Sequence, residues 1–147
     1  MGEEYKKSCH DELNWVEIEQ LHTATVEISK NCFEYKKLCI GLLGVGAALI
    51  IKFSSDPLAH LNFSIAMLVC FGFWLADSTA YYYQRSIRKV MSNKMLAVAS
   101  RNQIPDYDYK EISLSIFGAL FNGSMILYYA LLTLIGGGWL VYTYTVQ

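Results

Sequence analysis

The 147-residue sequence has few charged residues, and these are unevenly distributed. Asp, Glu, Lys and Arg make up 17% of the chain, whereas soluble domains carry roughly 25%. The last 36 residues, 112–147, contain none of these and no His, and two further uncharged runs lie at 38–51 and 61–76. Because long uncharged apolar runs are typical of membrane spans, this distribution excludes an ordinary soluble domain. It predicts a small multi-pass membrane protein.

The sequence also lacks an excess of positive charge. Its 12 basic residues face 13 acidic residues, so the net charge is −1. Binding that is driven by phosphate contacts needs clustered excess Lys and Arg. We therefore do not expect nucleic acid as a partner.

Residue patterns that support catalysis or metal binding are missing. The four cysteines are separated by 23, 7 and 31 residues, which matches neither a zinc pattern nor a CxxC redox motif. The three histidines, His10, His22 and His60, are scattered. There is no GxSxG nucleophile elbow. We expect no enzymatic activity, no metal and no cofactor.

A heptad pattern runs through the polar N-terminal region, 1–37, which we predict to be a cytosolic amphipathic helix. The pattern continues into the first hydrophobic stretch, with alternating steps of three and four residues. Such a pattern packs a helix against a partner helix, either in another chain or within the same protein. Its members are Ile18, Leu21, Thr25, Ile28, Cys32, Tyr35, Cys39 and Leu42.

The region 38–100 is predicted to form a helical hairpin of two spans. The first span covers 38–53, and flanking lysines extend its short charge-free core by snorkelling. The second covers 61–83 and ends in an aromatic belt. After it, a basic amphipathic helix continues on the cytosolic side to about position 100.

A linker at 101–111, broken by Pro105, leads to the hydrophobic C-terminal region 112–147. The whole region is too long for one straight span, and Asn122-Gly123-Ser124 is a natural break. A span at about 125–144 follows it. We predict an all-α integral membrane bundle with three spans. The alternative is four spans, in which the piece before the break is a short third span.

Orientation follows from the distribution of Lys and Arg, which is biased toward the cytoplasm. Basic residues precede the first predicted span and follow the second, while the connector between the spans is nearly free of them. The N-terminus and the segment 84–111 are therefore predicted to lie in the cytoplasm.

Asp77 is the main candidate functional residue, because an acid in an apolar run faces a bundle interior, a water path or a partner charge. It is one half of a structural ion pair with Arg85, Arg88 or Lys37, a residue of conduction or gating, or both. Glycines in the spans are candidates for close helix packing; they are Gly41, Gly44, Gly136, Gly137 and Gly138.

The segment FWLADSTAYYYQRSIRKVM (73–91) combines an aromatic span end, an acid, paired tyrosines and an Arg-containing helix. With the amphipathic helix before the first span, it resembles the SLATT-type family of small bacterial membrane effectors, over about residues 11–100. The resemblance implies oligomerisation and perturbation of the membrane in anti-phage systems linked to nucleotide signalling. The residues that match the motif are Asp77, Tyr81, Tyr82 and Arg85.

Together these features predict an oligomeric protein of the bacterial inner membrane that perturbs or gates the membrane as a defence effector. Its expected partners are membrane lipids and further copies of itself. One alternative is a membrane scaffold or regulatory subunit that binds another protein through its cytosolic helices. A phage holin-like protein also fits the size, although the long polar N-terminal helix is unneeded for that role. A proton-coupled transporter ranks last, because Asp77 is too close to one end of its span.

Overall fold

The computed structural model describes residues 8–53, 59–104, 109 and 111–145, with side chains at 8–48, 60–104, 109 and 111–145. The described residues are helical and include no strand, which confirms the all-α fold class. Of the predicted linker 101–111, residues 105–108 and 110 lie outside the described residues. The elements are α1 (Cys9–Phe53), α2 (Ala59–Arg101), α3 (Ile116–Leu120), a 3₁₀ turn (Gly123–Met125) and α4 (Ile126–Thr145).

The ends of the two long helices are fixed by local hydrogen bonds. At the start of α1, the Asp11 amide donates to Ser8 Oγ over 3.1 Å, which satisfies one of the free amides of the first turn. At the end of α2, Gln103 has a φ of 49°, and the Ile104 amide donates to the Ala99 carbonyl over 3.1 Å. This is a Schellman-type ending. It closes α2 close to the predicted position 100.

Helices α1 and α2 form an antiparallel pair whose buried residues recur every seven positions. At 1.5 Å per residue each helix is about 65 Å long, more than twice the ~30 Å of a bilayer core. Part of the pair therefore extends beyond any membrane that the helices cross. We call the buried layers between them the seam. On α1 the buried seam residues are Asp11, Ile18, Thr25, Cys32 and Cys39, and on α2 they include Cys70, Asp77, Gln84 and Val98.

The seam resolves the two interpretations of the α1 heptad pattern, because these positions pack against α2 of the same chain. One position was predicted wrongly: Leu42 is exposed, and Leu43 packs against the buried cluster instead. The physical reason is the α-helical repeat, since a 3.6-residue turn drifts relative to a strict heptad in a straight helix.

Helix α4 runs antiparallel to α2 and turns one half of the hairpin into a three-helix bundle. Cys70 Sγ lies 3.8 Å from the Tyr128 carbonyl oxygen near the start of α4. Farther along, the Trp139 indole N–H donates to His60 Nδ1 over 3.1 Å. The other half of the hairpin, beyond Asp77 on α2, has no such third helix among the described residues.

The predicted break before α4 is present. Asn122 caps the 3₁₀ turn by accepting a hydrogen bond from the Ser124 amide over 2.7 Å. Before the break, α3 has five residues and is about 7.5 Å long at 1.5 Å per residue. It is too short to cross a bilayer, so the described residues offer no short third span of the kind that the four-span alternative requires.

Two helical stretches among the described residues are long and apolar enough to cross a membrane, His60–Arg101 and Gly123–Thr145. They include the second span and the last span that the sequence predicts. The apolar end of α1, predicted as the first span, is not among them. A span there stays a prediction.

The glycines predicted to mediate close helix contacts make none with the residues that the structure describes. A Cβ added at Gly41, Gly44, Gly136 or Gly137 would meet nothing within 4 Å, and at Gly138 it would meet Phe63 at an ordinary 3.5 Å. The reason is rotational position, because the buried residues of α1 fall at Cys39 and its heptad relatives, and Gly41 and Gly44 lie off that stripe. Contact with another chain at these glycines stays a prediction.

Candidate functional site: a buried ion pair at a helix junction

The Asp77 carboxylate lies where the three-helix bundle meets the two-helix part of the hairpin. Its side chain is 0% exposed, and Lys36 of α1, whose side chain is 18% exposed, reaches it across the seam. The Lys36 Nζ to Asp77 Oδ2 distance is 2.5 Å. An acid and a base buried together satisfy each other's charge, which neither could tolerate alone in this environment.

The partner of Asp77 differs from the residues that the sequence predicts. Lys37 instead pairs with Glu34 one turn away on the exposed surface of α1, at 2.7 Å. Neither Arg85 nor Arg88 makes an ion pair with any residue that the structure describes. The seam explains the difference. Lys36 lies one turn beyond the buried Cys32, beside the layer that contains Asp77, whereas Lys37 is rotated out to solvent.

Lys36 also connects the hairpin to the last part of the chain. Its Nζ lies 3.5 Å from Ser124 Oγ in the 3₁₀ turn and 3.5 Å from the Cys32 carbonyl oxygen. The same ammonium group lies 5.8 Å from the centre of the Tyr128 ring, within the range of a cation–π interaction. One lysine of α1 therefore contacts α2, the 3₁₀ turn and α4.

Polar groups around the pair are only partly satisfied. Among the described residues, Asp77 Oδ1, Ser78 Oγ and the Tyr128 hydroxyl are buried without a hydrogen-bond partner. The Cys32 thiol and the Tyr128 hydroxyl face the Asp77 carboxylate, but neither reaches Oδ1 with hydrogen-bond geometry. A buried polar group left without a partner costs about 1–3 kcal/mol. The junction is therefore a local weak point of the packing.

The layer next to the ion pair is apolar and well packed. Cys39, Cys70, Met125 and Tyr128 form the buried cluster between α1, α2 and the start of α4. The two cysteines are free thiols that face each other across the seam. This layer holds the three helices together on one side of the pair.

An aromatic cluster fixes the segment that precedes α4. The rings of Trp74, Phe121 and Tyr129 have centroids 6.0–6.3 Å apart. The Trp74 indole N–H and the Tyr129 hydroxyl both donate to the Leu120 carbonyl oxygen, over 3.3 and 2.5 Å. These bonds hold the end of α3 against α2, so that Ser124 and Tyr128 reach Lys36.

The remaining predicted site residues are spread over the surface of α2. Tyr81 packs against the buried cluster. Tyr82 lines a shallow cavity between α2 and α3 that also contains Ser78 and Ile116. Arg85 is half-buried and Arg88 is exposed, both beyond the ion pair on the two-helix part of the hairpin. The structure therefore brings Tyr81 near Asp77 but leaves the two arginines apart from it.

Sequence reasoning missed Lys36, Ser124 and Tyr128 as members of the site. A signal for Lys36 was present, because Cys70, Asp77, Gln84 and Val98 on α2 follow the same seven-residue spacing as the α1 stripe. Aligning the two stripes in antiparallel order places Cys32 and Lys36 opposite Asp77. Nothing in the linear sequence places Ser124 or Tyr128 beside them.

The chemistry of the site is that of a charge pair. Over the parts of the chain that the structure describes, no three His, Cys, Asp or Glu side chains are grouped so as to hold a metal ion. What the arrangement can do is hold α1 against α2 and α4 through a few polar contacts, which can break and re-form without covalent chemistry.

Fold and site together describe a long antiparallel helical hairpin to which a third apolar helix is attached beside a buried ion pair. Comparisons of the chain with protein-family models, with curated proteins and with solved structures found no match.

Proposed function

We propose that this chain is an integral protein of the bacterial inner membrane. In this proposal α2, α4 and the apolar end of α1 cross the bilayer, and the two-helix part of the hairpin extends into the cytoplasm with the N-terminus. Support comes from the two apolar helices that can cross a membrane. Further support comes from the basic residues, which concentrate beyond the end of the three-helix bundle.

We further propose that the protein associates with copies of itself and opens or perturbs the membrane, with the Lys36–Asp77 pair holding the closed arrangement. The observation that carries this proposal is the position of the pair. It joins α1 to α2, to the 3₁₀ turn and to α4 at one point, and its surroundings leave polar atoms unsatisfied. A contact of this kind is well suited to a two-state element, because a modest change in either helix breaks all of its bonds together.

The resemblance of 73–91 to SLATT-type effectors favours a role in anti-phage defence. Asp77 belongs to the segment that carries the resemblance, and it is also the centre of the junction. The proposal therefore assigns the residue with the strongest sequence signal to the contact that controls opening.

A membrane scaffold or regulatory subunit is the second candidate. The observation that favours it is apolar surface on the part of α1 beyond the bundle, where Trp15 is 43% exposed and Val16 is 50% exposed. Exposed apolar side chains on a helix outside the membrane are typical of a protein-binding surface. This candidate predicts that the purified chain does not alter membrane permeability by itself.

Leakage from vesicles distinguishes the two candidates. The full chain is reconstituted into vesicles loaded with a self-quenched dye, and K36A is compared with K37A. Both variants remove one lysine charge from the same turn of α1, but the contacts of Lys37, with Glu34 and with the ring of Phe33, are exposed and local to α1. We expect K36A to leak at least about tenfold faster than K37A, because breaking a buried pair costs about 3–5 kcal/mol and about 1.4 kcal/mol already shifts an equilibrium tenfold.

The double variant K36M/D77L tests whether leakage reflects opening or misfolding. It replaces the pair by apolar side chains of similar size, which preserves packing without a buried charge. We expect its leakage to stay near that of K37A. If K36A leaks no faster than K37A, the pair does not hold a closed state. If no variant leaks, the second candidate replaces the first.

A further inference from the structure

Charge is separated between the two helices of the extramembrane part of the hairpin. Along α1, the segment 9–29 contains five acidic residues and no Lys or Arg. Along α2, the segment 84–101 contains five basic residues and no acid. We call these segments the acidic arm and the basic arm. The acids are Asp11, Glu12, Glu17, Glu19 and Glu27, and the bases are Arg85, Arg88, Lys89, Lys94 and Arg101.

Contacts within the hairpin use only part of this charge. Asp11 pairs with Arg101 at 2.7 Å, and Glu17 pairs with Lys94. The other three acids of the acidic arm and the other three bases of the basic arm make no ion pair with any described residue. They are Glu12, Glu19 and Glu27 on one arm, and Arg85, Arg88 and Lys89 on the other.

The three remaining acids lie together on the side of α1 that faces away from α2. Positions 12, 16, 19, 23 and 27 follow steps of three and four residues, so they share one helical face. The seam residues Asp11, Ile18 and Thr25 occupy a different face, buried against α2. Val16 lies between the acids and is 50% exposed. This outer face combines negative charge with an apolar centre.

Contacts across the seam determine which residues of the two arms lie at the same height along the hairpin axis, which we call a level. Gln84 bonds to the Thr25 carbonyl oxygen and to Ser29 Oγ, and Lys94 bonds to Glu17. Position 85 of α2 is therefore level with about positions 24–28 of α1, and position 89 with about 20–24. Consequently Glu27 is level with Arg85, and Glu19 lies about one to five residues, or about 1.5–7.5 Å at 1.5 Å per residue, from the Lys89 level, within the reach of two long side chains.

Copies in one membrane share orientation and depth, so the levels within one copy are also the levels between neighbours. We propose that the acidic arm of one copy packs against the basic arm of the next copy, with Glu27 opposite Arg85 and Glu19 opposite Lys89. This inference depends on the proposed membrane location. Each copy then offers one acidic and one basic surface, so the contact is head-to-tail and repeats around a ring or along a chain.

Charge reversal tests the interface through association of the full chain in lipid nanodiscs or mild detergent, measured by native mass spectrometry. The variants are E12K/E19K/E27K and R85E/R88E/K89E. Each reversal alone makes both surfaces of every copy carry the same sign. We expect oligomers to fall at least about tenfold in abundance for each variant, with the helical content unchanged by circular dichroism.

Mixing the two variants is the decisive test. In an equimolar mixture, every head-to-tail contact between unlike copies regains opposite charges, so we expect oligomers to return with the two variants alternating. A matched control compares two single variants, E27K and E34K. Glu34 is another exposed acid of α1, but the level opposite it on α2, about 75–79, contains no cation. We expect E27K to weaken association and E34K to leave it unchanged.

Other outcomes overturn the interface and stay distinguishable from a failure of the proposed function. A wild-type chain that is monomeric throughout rejects the interface together with the proposed self-association, while dye leakage still decides membrane activity separately. Variants that associate like the wild type also reject it. If the basic-arm variant loses association only in anionic lipid and the mixture does not recover, the basic arm binds headgroups and not a second copy.

Discussion

The two halves of the hairpin use the same seven-residue spacing in different surroundings. In the half that α4 covers, Cys39 and Cys70 form a dry layer next to the fully buried Asp77. In the other half, no described part of α4 covers the two helices, and only the short α3 lies against α2, beside Tyr82. The seam there contains Thr25 and Gln84, with ion pairs at its edges. The periodicity is the same, but the number of helices around it differs.

The difference shows where polar seam residues are tolerated. In the two-helix half, Glu17 and Lys94 at the edge of the seam are partly exposed to water, so their contact is weak and replaceable. In the three-helix half, α4 covers the seam in an apolar environment, and a charge must find its partner inside the protein. Lys36 and Asp77 lie at the boundary between the two-helix half and the three-helix half.

Breaking the pair at this boundary should have the largest effect on stability. We expect K36A to lower the free energy of unfolding by about 3–5 kcal/mol, because it leaves the Asp77 carboxylate buried without a counter-charge. Denaturation by a titrated ionic detergent in mixed micelles measures this change. We expect K36M/D77L to be close to the wild type, since both charges are removed together.

A comparison with Lys37 sharpens this prediction. Lys37 and Glu34 are more than half exposed, so K37A should cost at most about 1 kcal/mol. If K36A and K37A lower the free energy of unfolding equally, the buried pair at the boundary between the two halves stabilises the fold no more than the exposed pair does.

A polar contact in the two-helix half should have a smaller effect. Gln84 donates to the Thr25 carbonyl oxygen and to Ser29 Oγ across the seam. We expect Q84L to cost about 1 kcal/mol, because a leucine fills the space and Ser29 is close enough to solvent to bond with water. Hydrogen exchange should show the loss of protection only beyond the bundle. Loss of protection in α4 as well would mean that the two halves unfold as one unit.

The smallest effect is expected at the far end of the hairpin, and it depends on pH. Hydrogen bonds from Arg101 and Asn102 lower the pKa of Asp11 from 3.8 to about 2, against the opposing effect of burial. Because the pKa is lower in the folded state, this contact stabilises the fold above about pH 4. The stabilisation is lost as the pH falls toward 2.

Amide exchange in the first turns of α1 measures this dependence. We expect protection to fall between about pH 4 and 2 in the wild type, relative to D11N, in which this carboxylate no longer titrates. Parallel profiles for the two proteins would show that Asp11 does not stabilise this end of the hairpin.

Much of the fold could be predicted from local patterns. The heptad stripe from Ile18 to Cys39 marks the buried face of α1, and Asn122-Gly123-Ser124 marks the break before α4. Helix periodicity and turn chemistry act over a few residues, so they can be read from one segment at a time. The partner of Asp77 could not be read in this way, because Lys36 is 41 positions away and the choice between Lys36 and Lys37 depends on helix rotation.

By itself, the sequence determined the all-helical class, the apolar stretches, the heptad stripe and the opposite charges of the two arms. These are properties of composition and spacing, which are the same in any arrangement of the helices. Only the tertiary structure decided that the stripe packs within one chain, that Lys36 meets Asp77, and that Ser124 and Tyr128 complete the junction. Those contacts depend on the rotation and register of helices that are distant in sequence, and packing of the whole bundle sets both.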